Sequence, residues 1–366
     1  MRVLILLFSL LAAAPDSHGQ SASITVDRGD LIHTRMLTGL DGSFGDIVGQ
    51  IAGIARAHDA EMSDVAKLNL YVANYDSPTA KSISAGFNKA WPKPGKQPAL
   101  TIIPSALPGG ATLAADAVIA AKAGESTEVT RFERESTVLP MARDIIYLSG
   151  RVASGELAEA TAATMTQLFE DLKLLESDKR DVVQVKAFIT PMTSWETVEA
   201  EIDKSFGAIG SPPTIFVEWS SGSRATEIEL IAAAPKTEKP TGPISYFTPP
   251  NDKSSPVFSR VARVHGDQVI YIGGVTGSDG TTPESEIHSL FAQLENNAKV
   301  AGSDLRHFAK ATYYVSESEA SKALNVLRPE YYDPKRPPSA SKVEVPTIGI
   351  SDRGILIDMI AVPVSP

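Results

Sequence analysis

A near-repeat of seven residues most constrains how this chain can fold. The sequence IIYLSGR spans residues 145–151, and VIYIGGV spans residues 269–275, which begin 124 positions later. Both stretches are rich in β-branched and aromatic residues and end in small residues, which is typical of a strand that closes at a turn. A repeat at a spacing the size of a small domain indicates that the chain contains copies of one folding unit.

The residues that follow extend the repeat. Residues 156–176 and 286–302 each place apolar side chains on one face at helical spacing, and both contain an LF..L signature. Gly302 is positioned to end the second of these helices in the left-handed conformation. Three further strands are predicted at residues 64–73, 181–190 and 307–316. Candidates for a second helix in each copy are residues 77–91, 194–209 and 318–332.

Each copy ends with another apolar strand that carries one acidic residue. These residues are Asp116, Glu229 and Asp358, separated by 113 and 129 positions. The pattern predicts three copies of strand–strand–helix–strand–helix–strand, each of roughly 100 residues. The expected boundaries are unit 1 at 24–122, unit 2 at 129–235, a proline-rich linker at 236–256 and unit 3 at 257–366.

Composition and charge restrict the partners. The chain has 366 residues and a formal charge of −10, with 44 acidic and 34 basic side chains, which disfavours a nucleic-acid partner. The absence of cysteine excludes disulfides and thiolate chemistry. The histidines have no paired-ligand spacing, so we expect no metal site, and no motif indicates a cofactor.

The first residues predict an export signal. Arg2 precedes an apolar stretch at residues 3–14, and small residues follow where a signal peptidase would cut. Residues 1–19 are therefore predicted to be a signal peptide, which makes the mature protein secreted or periplasmic with no membrane association. The alternative is a buried N-terminal helix or strand.

The order of these elements resembles the Rid family, also called YjgF/UK114, RidA-like or endoribonuclease L-PSP. The resembling pieces include DIIYLSGR, DVVQVKAFIT and IELIAAAP in the second copy, GDQVIYIGG and IDMIAVP in the third, and DVAKLNLYVANY in the first. The resemblance implies an α+β fold of chorismate-mutase-like units, each a mixed sheet with two helices on one face. Family members form trimers, so three tandem copies imply an intramolecular pseudo-trimer that is monomeric as a chain.

The resemblance also implies a chemistry, namely hydrolysis of imines or enamines between neighbouring units. An arginine of the family grips the substrate carboxylate with two hydrogen bonds, and a glutamate helps to position the water. The arginine position falls on Leu100, Thr214 and Ala340, and the glutamate position falls on Ala114, Glu227 and Leu356. The usual deaminase site is therefore predicted to be degraded. The resemblance leaves Glu227 as the candidate catalytic residue, and the candidate ligand-binding residues are Tyr147, Ser149, Gly150, Arg151, Thr214 and Gly274.

Three functional hypotheses follow. The favoured one is an exported Rid-like protein that binds a small metabolite, such as an imino or keto acid, in clefts between units. The second is an active 2-iminoacid or enamine deaminase, a hydrolase with a non-standard carboxylate anchor such as Arg151, Arg224 or Arg353. The third is a structural or protein-interaction scaffold.

Overall fold

The fold is given by a computed structural model. It describes residues 23–39, 42–133, 135–220, 224–250 and 252–364. The predicted signal peptide lies outside these residues. The described part contains three mixed sheets and six α-helices, so the α+β class predicted from the sequence is confirmed.

The predicted succession of strands and helices is present in each segment, but the prediction of one strand after the second helix is wrong, because two strands follow it in every segment. The first segment contains β1 (Ser23–Asp27), β2 (Asp30–Thr34), β3 (Leu37–Thr38), α1 (Phe44–Ala57), β4 (Val65–Val72), α2 (Ser77–Ala90), β5 (Ala99–Pro104) and β6 (Leu113–Ala121). The second contains β7 (Thr130–Phe132), β8 (Ser136–Leu139), β9 (Asp144–Arg151), α3 (Leu157–Lys173), β10 (Val182–Ile189), α4 (Trp195–Phe206), β11 (Thr214–Glu218) and β12 (Thr226–Ala234). The third contains β13 (Ile244–Phe247), β14 (Val261–Val264), β15 (Gln268–Val275), α5 (Pro283–Val300), β16 (Phe308–Val315), α6 (Ser318–Tyr331), β17 (Ser339–Glu344) and β18 (Ile355–Ala361).

Helix ends have identifiable causes. The Asp76 side chain accepts a hydrogen bond from the Thr79 amide at the start of α2, and Thr282 caps α5 in the same way. Gly302 follows α5 with a φ of +81°, the left-handed conformation predicted for it.

Four strands have the same order in all three sheets. The first sheet contains β5-β4-β6-β2, the second β11-β10-β12-β9 and the third β17-β16-β18-β15. In each sheet the first two strands are parallel and the other neighbours are antiparallel. The register of the central pair shifts near the start of β4, β10 and β16 alike.

Each sheet is completed by strands from another segment. β8 and β7 extend the first sheet beyond β2, and β14 and β13 extend the second sheet beyond β9. β1, at the start of the described chain, pairs with β15 and thereby extends the third sheet. The strands are therefore exchanged in a closed cycle: the second segment extends the first sheet, the third segment extends the second sheet, and the first segment extends the third sheet. β13 also places a strand inside the segment 236–256 that the sequence predicts as a linker, because Ile244 is buried and pairs with Val264.

Each sheet buries both of its faces. In β9, Ile146 and Leu148 pack with Met165 and Leu168 of α3, as the alternation of side chains along a strand requires. The intervening Ile145 and Tyr147 point to the other side, into a cluster to which all three sheets contribute. A second cluster of this kind contains Tyr71, Phe188 and Tyr314, one from each sheet. The helices therefore cover the outside, and the sheets pack on one another inside.

A polar layer lies between these two apolar clusters. It encloses a cavity of about 40 Å³ lined by three lysines and three carboxylates, Lys67, Lys186, Lys310, Asp116, Glu229 and Asp358. The three acidic residues are those singled out from the closing strands. Asn69, Lys186 and Thr312 are their cross-strand partners.

Two ion pairs in this layer join different sheets. Lys67 of the first sheet donates to Asp358 of the third, and Lys310 of the third donates to Glu229 of the second at 2.5 Å. All four residues are buried. The second sheet has Gln184 at the position that Lys67 and Lys310 occupy in the other two sheets, so no third ion pair of this kind forms among the described residues. The remaining carboxylate, Asp116 of the first sheet, accepts a hydrogen bond from Tyr71 of the same sheet at 2.6 Å. The two pairs therefore link the three sheets.

None of the helices in the described part of the chain is long and apolar enough to span a membrane.

Replacing Lys67 with methionine should destabilise the protein by about 3–5 kcal/mol, because Asp358 is then left buried without its cation. Lys322→Met is the matched control, since Lys322 pairs with Glu319 on the surface and its loss should cost about 1 kcal/mol or less. Equilibrium denaturation in guanidinium chloride measures both values. Equal effects of the two substitutions would contradict the structural role given to Lys67.

Candidate ligand-binding site between the second and third sheets

The end of β9 contacts β17 of the third sheet. The Ser149 hydroxyl accepts a hydrogen bond from the Ala340 amide at 2.9 Å and donates to the Ser259 carbonyl at 2.5 Å. The Gly150 amide donates to the Ser341 hydroxyl at 3.1 Å. These bonds fix Ser149 and Gly150 of β9 against residues 339–341 of β17 in the third sheet.

Glu227 lies beside this contact. It occupies β12 on the inner face, and only 9% of its surface is exposed. A Cβ at position 150 would lie 1.9 Å from Glu227 Oε1, so glycine is required there for the carboxyl group to fit. The small residue predicted from the repeat therefore makes room for the predicted catalytic carboxyl.

The environment of Glu227 favours the uncharged form of its carboxyl group. Burial raises the pKa of its carboxyl to about 7, and the hydrogen bond to Ser341 and the charges of Lys310 and Arg260 only partly oppose this effect. The Ser341 hydroxyl lies between the carboxyl groups of Glu227 and Glu229, and its single proton is donated to Glu229 at 2.5 Å. Its hydroxyl therefore connects the site to the buried polar layer.

Arg260 is the cation beside the site. It precedes β14, and its Nε and Nη1 donate to Asp252 at 2.9 Å and to the Gly150 carbonyl at 2.7 Å. Among the described residues, none accepts from its Nη2. Since the guanidinium is partly exposed, this edge can donate to a ligand.

Arg151, a predicted ligand-binding residue, lies next to Gly150 but uses its guanidinium to bind two aspartates. Its Nε and Nη2 form a two-bond contact with Asp171 of α3 at 2.8 and 2.7 Å. Its Nη1 donates to Asp252 at 3.0 Å. Arg151 thus holds Asp252, which in turn orients Arg260.

The other two alternative anchors support loops. Arg353 donates to the carbonyls of Gly277 and Ser278 at 2.7 and 3.0 Å. Arg224 donates to the Ser154 hydroxyl.

The structure brings four of the predicted site residues together, Ser149, Gly150, Arg151 and Glu227. The other three lie elsewhere. Tyr147 is fully buried in the apolar cluster that all three sheets share. Thr214 begins β11, whose last residue, Glu218, accepts from the Ala106 amide of the first segment. Gly274 packs on Thr101 and Leu356, between the first and third sheets.

Sequence reasoning missed Arg260, Asp252 and Ser341. Arg260 and Asp252 lie in or next to the predicted linker, where no periodicity marks a side chain as inward-facing. Ser341 is the residue after Ala340, the position to which the resemblance assigns the lost arginine. Only this proximity to Ala340 could have indicated it.

Comparison with known proteins gives structural matches only. No family model and no curated protein matches the chain. A member of the YjgF protein family from Neisseria meningitidis is 22% identical over 34% of this chain and 97% of its own, with a TM-score of 0.26. A member of the YjgF/YER057c/UK114 family from Mycobacterium tuberculosis is 19% identical, and the match covers 32% of this chain and 98% of that protein, with a TM-score of 0.24. Escherichia coli TdcF with bound serine is 17% identical, and the match covers 26% of this chain and 80% of that protein, also with a TM-score of 0.24.

The raised pKa of Glu227 predicts a pH-dependent stability difference. Because the pKa is about 7 in the folded chain and ordinarily 4.5, the folded state retains this proton longer than the unfolded state. The resulting stabilisation is complete below pH 4.5 and is lost as the pH rises to 7. The difference in unfolding free energy between Glu227→Gln and the unmodified protein should therefore shift by about 3 kcal/mol across this window, in favour of the variant.

Urea denaturation at pH values from 4 to 8 measures this shift. Glu170→Gln is the control, because Glu170 is exposed and pairs only with Lys173 at the surface. A flat difference for Glu227→Gln would show that its carboxyl ionises normally.

Proposed function

We propose that this protein binds a small carboxylate-bearing metabolite, such as an imino or keto acid, at the contact between its second and third sheets. The observation that carries the proposal is that Gly150 contacts both groups: its Cα leaves room for the buried carboxyl of Glu227, whose pKa is raised to about 7, and its carbonyl accepts from the partly exposed Arg260. Protonated Glu227 can donate one hydrogen bond to a ligand oxygen. Arg260 Nη2 can donate another, which makes the two groups complementary to a carboxylate.

The positions assigned to the family's arginine support binding over deamination. Ala340 has no cationic side chain, and its amide is used by Ser149. At Leu100, a Cβ on Gly273 would lie 2.6 Å from the carbonyl oxygen, so backbone packing fills that contact. Thr214 cannot supply a charge. The Nε and Nη1 of Arg260 already donate to Asp252 and Gly150, so only Nη2 can donate to a ligand. Arg260 therefore cannot make the two parallel hydrogen bonds to a carboxylate that the resemblance associates with catalysis.

A binding experiment tests the proposal. Pyruvate and 2-oxobutyrate are titrated into the mature protein by isothermal calorimetry at pH 6.5. We expect saturable binding that weakens at least tenfold in Arg260→Met and in Glu227→Ala, because each loses a hydrogen bond to the ligand. Arg306→Met, which removes an exposed arginine paired with Asp333, should bind as the unmodified protein does. Absence of binding to both keto acids, or equal binding by all variants, would overturn the proposal.

Deamination with Arg260 as a non-standard anchor is the second candidate, favoured by the same proximity of Arg260 to Glu227. An imine-hydrolysis assay with imines generated by an amino-acid oxidase distinguishes the two. The binding proposal predicts a rate equal to the uncatalysed background. Turnover that disappears in Glu227→Ala and persists in Arg306→Met would establish the deaminase instead.

Two further parts of the proposal concern the chain as a whole. The three sheets form an intramolecular pseudo-trimer, and the mature chain is secreted or periplasmic after removal of residues 1–19. The cycle of strand exchanges supports the first part, because it leaves β2, β9 and β15 paired within one chain. Light scattering should give the mass of a single chain. Mass spectrometry of the exported protein should show a sequence that begins at Gln20, and retention of residues 1–19 would refute the export step.

A further inference from the structure

A serine, a histidine and an aspartate form a hydrogen-bonded series at the edge of the second sheet. The Ser245 hydroxyl lies 2.9 Å from His265 Nε2, and His265 Nδ1 lies 2.8 Å from Asp144 Oδ2. Ser245 belongs to β13, His265 follows β14, and Asp144 begins β9. These strands are neighbours in the order β9-β14-β13, which brings together residues up to 121 positions apart.

The pairing of the strands places the three side chains on one face. Ser245 pairs with Arg263, and His265 is two residues beyond Arg263. Val264 pairs with Ile145, so His265 lies opposite Asp144 in the antiparallel register. Since side chains alternate along a strand, Ser245, Arg263, His265 and Asp144 share a face.

The aspartate is fixed and charged. It is fully buried, and its Oδ2 accepts from Thr237, from Arg263 Nε at 2.9 Å and from His265. Although burial opposes ionisation, the hydrogen bonds from His265, Thr237 and Arg263 lower the pKa of Asp144 to about 2. An ionised Asp144 only accepts hydrogen bonds, so the proton of a neutral His265 resides on Nδ1. The lone pair of Nε2 then faces the Ser245 hydroxyl.

We propose that Ser245, His265 and Asp144 form a second functional site, which hydrolyses small carboxylic esters through an acyl-serine intermediate. The arrangement meets the geometric requirement for an activated nucleophile, since the nucleophile contacts a base that a third group orients. Ser245 and His265 are the catalytic residues, and Asp144 is a positioning residue. The site shares none of these residues with the Glu227 site and does not depend on the proposed function.

The reaction balances with water as the only co-substrate. Ser245 Oγ bonds to the ester carbonyl carbon while its proton passes to His265 Nε2. The bond from carbon to the alcohol oxygen then breaks, and the leaving alcohol takes that proton. Water attacks the acyl-serine and gives a proton to His265, which returns it to Ser245 as the carboxylic acid departs.

Arg263 is placed to stabilise the oxyanion. It lies directly across from Ser245, and its Nε and Nη2 donate to Asp144 and to the Pro235 carbonyl. Among the described residues none accepts from its Nη1, which leaves one charged donor of the residue that pairs with Ser245 for the oxyanion. Ser245 is exposed on the outermost strand of its sheet, so the site admits substrates from solvent. No further strand covers β13 in the described part of the chain, so a small activated ester such as an acetate ester can reach Ser245 without steric hindrance.

Labelling with a fluorophosphonate tests the site, because such probes phosphonylate serines that a neighbouring base activates. We expect one phosphonyl group on the peptide that contains Ser245. Labelling should be lost in Ser245→Ala and slowed at least 100-fold in His265→Gln. Ser82→Ala, which removes an exposed serine of α2, should label at the unmodified rate. Hydrolysis of p-nitrophenyl acetate, measured with the same variants, should follow the same order.

Circular dichroism shows whether the His265→Gln variant remains folded. If it does not, Ser245→Ala still tests the site, because Ser245 is exposed and its replacement should leave the fold intact. Failure to label Ser245 in the unmodified protein would overturn the proposal. Equal labelling in a folded His265→Gln variant would also overturn it, because the histidine would then not act as the base. Labelling at Ser245 without turnover of p-nitrophenyl acetate would overturn the assignment as an esterase.

Discussion

The exchange of strands between segments is the constraint on which the rest of this structure depends. Without it, β2, β9 and β15 would each expose an edge with unpaired backbone groups, which is a site for aggregation. Pairing with β8, β14 and β1 covers those edges and closes the cycle within one chain. The inner faces of the sheets are then held together, and burial of apolar surface on both sides of the polar layer follows from that geometry.

The buried polar layer gives this packing its specificity. Apolar contacts alone would tolerate small shifts of one sheet against another, whereas a displaced Lys67 or Lys310 would leave a carboxylate buried without a partner. The layer is not equivalent in the three sheets, because Gln184 stands where the other two have lysine. A single chain permits such differences, since each contact between sheets is encoded by its own residues.

The same independence accounts for the differences between the contacts that join the sheets. Ser149, Gly150 and Glu227 meet Ala340 and Ser341 at one contact, whereas Gly273 and Gly274 meet Leu100, Thr101 and Leu356 at another. The Ser245–His265–Asp144 series belongs to the second sheet alone, because it requires β13 and β14 to extend that sheet. A chain built of identical units could not have a different set of contacts at each of these places.

Sequence by itself determined the helices of this protein, the strands around them and the threefold repeat of both, but not the additional strands β5, β11, β13 and β17. The 2.0 and 3.6 residue periods of its apolar side chains specify strands and helices locally, and the repeat of LF..L and of the acidic closing strand predicts that the units are alike. Four of the seven predicted site residues meet because they lie on β9 and β12 of one unit, which are neighbouring strands of its sheet. The tertiary structure decided which unit each exchanged strand joins. It also decided that Arg260, rather than Arg151, keeps one donor position without an acceptor among the described residues near Glu227, and that Ser245, His265 and Asp144 meet. These outcomes depend on pairings between residues more than 100 positions apart, and no periodicity along the chain records which distant partner a strand edge or a charged side chain will find.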